Sequence, residues 1–196
     1  GYNILENIVK YGYTGKVYPV NPNYQNILGL KVYSNVGEIE DVIDLAVIVI
    51  PAEAVVKVAE ECGVNRVKNL VVISAGFKET GKEGAEREKA LKNICAKYKM
   101  KMLGPNCLGV IDTFTPLNAS FAAQMPIKGN IGFISQSGAL GTAILDWSFK
   151  NRIGFSKVIS LGNKADLDES DFIAALAADA NTNVILLYIE DIKDGI

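Results

Sequence analysis

Ser135-Gln136-Ser137-Gly138-Ala139 follows the apolar run Ile131 to Ile134 and leads at once into an amphipathic segment beginning at Leu140. A strand–turn–helix of this composition gathers unpaired backbone N–H groups, two hydroxyls and the positive end of a helix dipole at one point. That is a site for a phosphate or another oxyanion. The plainer alternative is a helix N-cap supplied by Ser135 or Ser137. A second candidate is the turn Gly104-Pro105-Asn106-Cys107. The chain has no histidine at all. A serine–histidine–acid triad therefore cannot form within it, and Ser137 also lacks the Gly-x-Ser-x-Gly frame of a nucleophile elbow. Nor is there a histidine to activate Cys107 as a nucleophile.

Composition narrows the classes further. The 196 residues are 49% hydrophobic, enough for one large or two small cores, and the net charge is −2 with both signs interspersed. Neither nucleic acid nor an anionic membrane surface is indicated as a partner. No apolar run reaches the length of a bilayer span; Leu45 to Ile50 is strand-sized. Cys62, Cys95 and Cys107 are odd in number and widely spaced, which points to reduced thiols in a cytoplasmic protein. Gly1 leads straight into a helical pattern with no secretory signal. Asp166 and Asp168 resemble a metal pair, but Ser170 and Asp171 behind them read as a helix start, so N-capping is preferred and no metal site is assigned.

The residues that carry this chemistry sit at the ends of short β-branched runs. Val17–Val20, Leu45–Ile50, Leu70–Ile73, Lys101–Leu103, Ile131–Ile134, Val158–Ser160 and Val184–Ile189 read as strands. Several are apolar at every position, as in parallel sheets covered on both faces. Between them, Val55, Val58, Ala59 and Cys62 lie on one helical face, as do Leu91, Ile94, Cys95 and Tyr98. The same spacing relates Leu140, Ala143, Ile144 and Trp147, and Ile4, Leu5, Ile8 and Val9 begin a first helix. The alternation predicts an α/β fold with two parallel-sheet units. The stretch from Asp112 to Gly129 holds turn residues and no sustained period, so it reads as the crossing between units 1–124 and 125–196. Both units look cut, the first short of its opening strand and the second short of its end.

Ligands of open α/β sheets bind outside the carboxyl ends of the strands. The exits here are Asn21-Pro22-Asn23-Tyr24, Pro51-Ala52, Ser74-Ala75-Gly76-Phe77 and Gly104-Pro105-Asn106-Cys107. Each is an ordinary turn alone; together they make a long groove for an extended, mostly apolar ligand with a polar head. Asn163 and Lys164 lie in another exit loop, either facing a phosphate or carboxylate or simply solvated.

Four segments in order carry a resemblance: Val47 to Ala52, Val72 to Gly81, Leu103 to Gly109 and Phe133 to Gly141, with Ser160 to Asp166 and Tyr188 to Glu190 after them. The set resembles the NDP-forming acyl-CoA synthetases, and within them the α part of ADP-forming acetate–CoA ligases, over essentially the whole chain. The resemblance implies a CoA-binding Rossmann-like domain followed by a flavodoxin-like ligase domain. It implies that Pro22, Ile50, Pro51, Ala52, Ser74 and Gly76 line a CoA groove, with Asn106 and Cys107 near the thiol end. Ser135, Gln136, Ser137, Gly138 and Ala139 would receive the phosphate of a phosphohistidine, and Glu190 would orient that histidine for catalysis.

CoA and a small carboxylic acid are then the substrates. ATP or ADP with Mg2+ binds on an ATP-grasp β subunit or domain outside this chain, and an oligomer is implied. Two departures stand out. The loop after Pro22 reads Asn23-Tyr24-Gln25-Asn26 where the more distantly similar succinyl-CoA synthetases carry a basic CoA contact, and the phosphoryl-carrying histidine is not among these residues. The alternatives are a non-catalytic CoA-sensing module and a NAD-binding oxidoreductase domain, the latter requiring a glycine-rich fingerprint that these residues do not contain.

Overall fold

Alternate residues of the uniformly apolar strands enter different cores, which is why those strands show no polar face. The computed structural model describes residues 1–192. After helix α1 (Tyr2–Lys10) and a two-residue hairpin, β1 (Asn26–Ile27) with β2 (Leu30–Lys31), the chain forms β3 (Leu45–Ile48), β4 (Asn69–Val72) and β5 (Lys101–Leu103). These three pair in parallel in the order β3-β4-β5. Leu70, Val72 and Met102 face helices α2 (Ala52–Val64) and α3 (Lys82–Tyr98), meeting Val55, Ala59, Cys62, Leu91 and Cys95. Val71, Ile73 and Leu103 face the other way, joining Ile4, Ile8, Ala119, Ile134, Ile159 and Leu161 in a second cluster. That second cluster contains residues of both sheets, so the two units share one apolar wall.

The second sheet comprises β6 (Gly109–Asp112), β7 (Leu117–Ser120), β8 (Lys128–Ser135), β9 (Phe155–Ser160) and β10 (Val184–Tyr188), in the order β10-β8-β9-β6-β7. β10, β8 and β9 run parallel, as expected. Helix α4 (Gly138–Lys150) links β8 to β9, and α5 (Glu169–Ala177) links β9 to β10. Asp168 caps α5 in a capping box with Asp171, which makes it a structural residue as anticipated. Phe133 and Phe155 are fully buried beneath α4 with ring centroids 5.9 Å apart; each contributes about 1.5–3 kcal/mol of burial.

Four expectations are corrected. Val17–Val20 is not a strand: among the described residues only Val20 pairs, through an isolated parallel bridge to Tyr33, and Pro19 has no N–H to extend a ladder. The stretch after Asp112 is not a structureless crossing, and the second sheet is mixed rather than parallel throughout. β6 and β7 form an antiparallel hairpin, and β6 also runs antiparallel to β9. The hairpin escaped the sequence pattern because two of its buried positions, beside the apolar Ile111 and Ala119, are polar. Asn118 and Ser120 are almost wholly buried, with Ser120 Oγ donating to Asn118 Oδ1 at 2.6 Å. Finally, α4 buries Gly141, Leu145 and Ser148, while Ala143 is exposed and Trp147 is 57% exposed. Two small residues form the buried stripe, and Ser148 satisfies its hydroxyl on Leu145 O at 2.7 Å.

Candidate functional site

The carboxyl ends of both sheets open onto one cleft of about 770 Å³. From the first sheet come Ile73, Asn106 and Cys107; from the second come Gln136, Gly138 and Ala139 at the start of α4, and Glu190 and Asp191 after β10. Lys78, Glu79 and Asn163 line it from loops. The two candidate regions, read separately in the sequence, thus face a common space.

Several groove residues are tied to each other by their backbones. Ser74 Oγ donates to Ile50 O at 2.6 Å and accepts from Ile50 N at 3.0 Å, and Asn106 N donates to Ser74 O at 3.0 Å. Gly76 has a φ of +105°, and a Cβ there would stand 2.7 Å from the Cβ of Ala52, so the two loops touch only because the residue is glycine. Pro51 precedes the first turn of α2 and its carbonyl accepts from Ala54 N at 3.0 Å. Pro22 lies exposed in the turn after Val20, with no described contact to this group. Cys107 is buried, its Sγ turned to Val72 O at 3.4 Å, and burial pushes its pKa up to about 12. It behaves as a core thiol whose backbone forms part of the cleft wall.

At the second sheet, Ser137 is the N-cap of α4, its Oγ accepting from Leu140 N at 3.3 Å. Ser135 is buried and donates its hydroxyl to Ser137 O at 2.8 Å, so it shapes the turn and does not face the cleft. The Gly138 and Ala139 amides have no protein acceptor among the described residues. They are the first-turn donors that a helix leaves for water or an anion. Gln136 braces the strand exit: its Oε1 accepts from Glu190 N at 2.9 Å and from Asp191 N at 3.2 Å, and its Nε2 donates to Asp191 Oδ1. Glu190 itself is exposed on the cleft.

Two neighbours prove more engaged than a solvated loop. Asn163 is buried and donates to Glu79 Oε2 at 2.6 Å and Glu88 Oε2 at 2.8 Å, and its carbonyl accepts from Lys78 Nζ at 2.6 Å. Asn106 Nδ2 donates to Asn163 Oδ1 at 3.2 Å. Partial burial opposes the charge on Glu79, but Asn163 and the Phe77 and Gly76 amides outweigh it and lower its pKa. Replacing Asn163 by Leu deprives two carboxylates of a donor each. Urea unfolding is expected to show a loss of about 1–3 kcal/mol. Lys164 is fully buried against Asp191 and Glu169. Glu79, Glu88 and Asp191 were not singled out from the sequence; their partners are far away in the chain, and no local spacing marks them.

Among the described residues no three His, Cys, Asp or Glu side chains gather to hold a metal ion. No helix among them is long and apolar enough to cross a membrane.

Comparison with known proteins gives the family. Residues 1–113 fit the family model of a CoA binding domain, and residues 128–196 that of a succinyl-CoA ligase like flavodoxin domain. The chain is 52% identical to acetate–CoA ligase [ADP-forming] I of Archaeoglobus fulgidus, covering 100% of this chain and 28% of that protein. It is 47% identical to the α subunit of acetate–CoA ligase [ADP-forming] I of Pyrococcus furiosus, covering 100% of this chain and 43% of the subunit. A solved structure of dinucleotide forming acetyl-coenzyme A synthetase 1 of Ca. Korarchaeum cryptofilum, in complex with phosphate and ADP, superposes with a TM-score of 0.95. Its identity is 44%, over 98% of this chain and 41% of that one. The chain thus spans less than half the length of these relatives. With its CoA binding domain followed by a succinyl-CoA ligase like flavodoxin domain, it belongs to the NDP-forming acyl-CoA synthetase family.

Proposed function

We propose that these 196 residues are the CoA-binding and phosphate-cradling part of an ADP-forming acyl-CoA ligase, with acetate the leading acid. The observation that carries the reading is the common cleft, in which the groove exits at Ile73, Asn106 and Cys107 oppose the α4 amides and Glu190. In this reading acyl-CoA and inorganic phosphate exchange to give acyl phosphate and free CoA. The phosphoryl group then passes to a histidine from outside these residues, releasing the carboxylic acid, and from the histidine to ADP to give ATP.

The residues here bind and orient. Ile50, Pro51, Ala52, Ser74 and Gly76 border the CoA chain and Pro22 the outer groove, while Asn106 and Cys107 flank the thiol end. The amides of Gly138 and Ala139, with the α4 dipole, stabilise the phosphate. Ser135, Gln136 and Ser137 hold those amides in place. Glu190 accepts a hydrogen bond from one nitrogen of the incoming imidazole, which leaves the other as nucleophile. Nucleotide and Mg2+ belong to an ATP-grasp partner, assembled with this part as units 1–124 and 125–196 in a cytoplasmic oligomer.

Titration of the assembled ligase tests the reading: CoA binds and NAD does not. Binding of NAD in place of CoA supports the oxidoreductase alternative and defeats the proposal. A local test uses Gly138, where a Cβ meets nothing within 4 Å. Gly138→Asp adds a carboxylate at the helix start, raising stability by about 0.3–1 kcal/mol while repelling the anion. The KM for phosphate is expected to rise by about ten- to a hundredfold with CoA affinity unchanged. An unchanged KM removes the anion from this helix terminus.

A further inference from the structure

We propose that Lys164 is a positioning residue for Glu190: buried beneath the segment that follows β10, it clamps Asp191 and leaves Glu190, among the described residues, as the cleft carboxylate with no side-chain partner. The inference rests on the proposed role of Glu190 and concerns a residue outside that role.

The geometry is a two-sided grip. On one side Gln136 Oε1 accepts both backbone N–H groups of Glu190 and Asp191. On the other, Lys164 Nζ donates to the Asp191 carbonyl at 2.6 Å and lies 2.8 Å from Asp191 Oδ1 and 3.1 Å from Glu169 Oε2. The lysine side chain is 0% exposed. Its own loop is pinned to the neighbouring turn by Asn163 N donating to Pro105 O at 2.8 Å and Ala165 N donating to Gly104 O at 3.0 Å. Lys164 also adopts φ +53°, the left-handed region that a lysine seldom occupies. Backbone strain of that kind persists only where the surroundings over-determine it.

The chemical consequence concerns two adjacent acids with different fates. Asp191 is bound by Lys164 and Gln136, which hold its carboxyl below the usual range. Burial opposes the charge on Lys164, but its bonds to Asp191 and Glu169 prevail and raise its pKa. The ion pair thus favours the charged form of both groups, and Asp191 is held by Lys164 and Gln136. Glu190 has no described side-chain partner and faces the cleft. Without the clamp, Asp191 competes for the same imidazole and the Glu190 backbone loses its lower anchor.

The experiment is a double-mutant cycle in the assembled ligase, reading the rate of phosphoenzyme formation from acyl-CoA and labelled phosphate. Lys164→Met is expected to lower that rate at least tenfold, while CoA affinity and phosphoenzyme formed from labelled ATP stay near wild type. In a Glu190→Gln background, Lys164→Met is expected to cause no further loss, because it acts through Glu190. Should Lys164→Met not fold, Asp191→Asn, at a 60% exposed side chain, serves instead, with a three- to tenfold loss expected. Equal added loss in both backgrounds, equal loss from the ATP side, or wild-type rates for the folded clamp variant overturn the clamp. Wild-type behaviour of Glu190→Gln overturns the underlying site reading, and the clamp with it.

Discussion

On the proposed function, Glu190→Gln in the assembled ligase is expected to slow phosphoenzyme formation from acyl-CoA and phosphate by about a hundred- to ten-thousandfold, with CoA affinity unchanged. The substitution preserves size and the backbone bond from Glu190 N to Gln136 at 2.9 Å, so the segment stays in place. What changes is the acceptor. A carboxylate stabilises the ring N–H of a histidine whose other nitrogen attacks phosphorus; a neutral amide does so weakly and can present its own donor instead. The side chain is exposed and carries no described ion pair, so a fold defect is not expected, and an unchanged unfolding midpoint separates chemistry from stability. A variant that phosphorylates at the wild-type rate removes Glu190 from the mechanism.

Gly162→Ala is expected to cost about 3 kcal/mol or more in urea unfolding and to weaken CoA binding in the same protein. Gly162 sits at φ +61°, and a Cβ there runs into the carbonyl oxygens of Pro105 and Asn106, the latter at 2.6 Å. Those carbonyls belong to the Gly-Pro-Asn-Cys turn at the end of the first sheet, whereas Gly162 follows β9 of the second. The glycine thus lets two strand exits from different sheets press together and form the cleft wall. Backbone cannot yield as a flexible side chain does, so the methyl group forces the exits apart. Gly29 is a useful control: it also has positive φ, but an added Cβ has nothing within 4 Å. Gly29→Ala therefore reports conformational strain alone, and the excess at Gly162 measures the packing of the two exits.

What was readable in the sequence follows from how local each determinant is. Leu45–Ile48 and Asn69–Val72 were legible because strands covered on two sides read as short, nearly continuous apolar runs, here Leu45 to Ile48 and Leu70 to Val72. The Asp168 cap was legible because a capping box is complete within four residues. The β6–β7 hairpin was not, since Asn118 and Ser120 bury polar groups that satisfy one another. The face of α4 was misjudged because Gly141 and Ser148 bury no apolar area, whereas Trp147 does not enter the core. At the proposed site, the α4 turn was marked by its own composition and Glu190 by the resemblance alone. The Asn163 hub was marked by neither: it joins Glu79 across 84 residues and Glu88 across 75, contacts created only when the two sheets meet. The same holds for Lys164, whose Asp191 partner is 27 residues away.

The central claim is that a CoA groove and a phosphate cradle share one cleft, so that the thioester and phosphate react within it. Its most direct measurement is the transfer of labelled inorganic phosphate to protein in the assembled ligase, with and without acyl-CoA. The account predicts acid-labile label only when acyl-CoA and phosphate are both present, with one CoA released per phosphoryl group captured. Label that appears without acyl-CoA, or CoA binding with no label under any acyl-CoA, contradicts it.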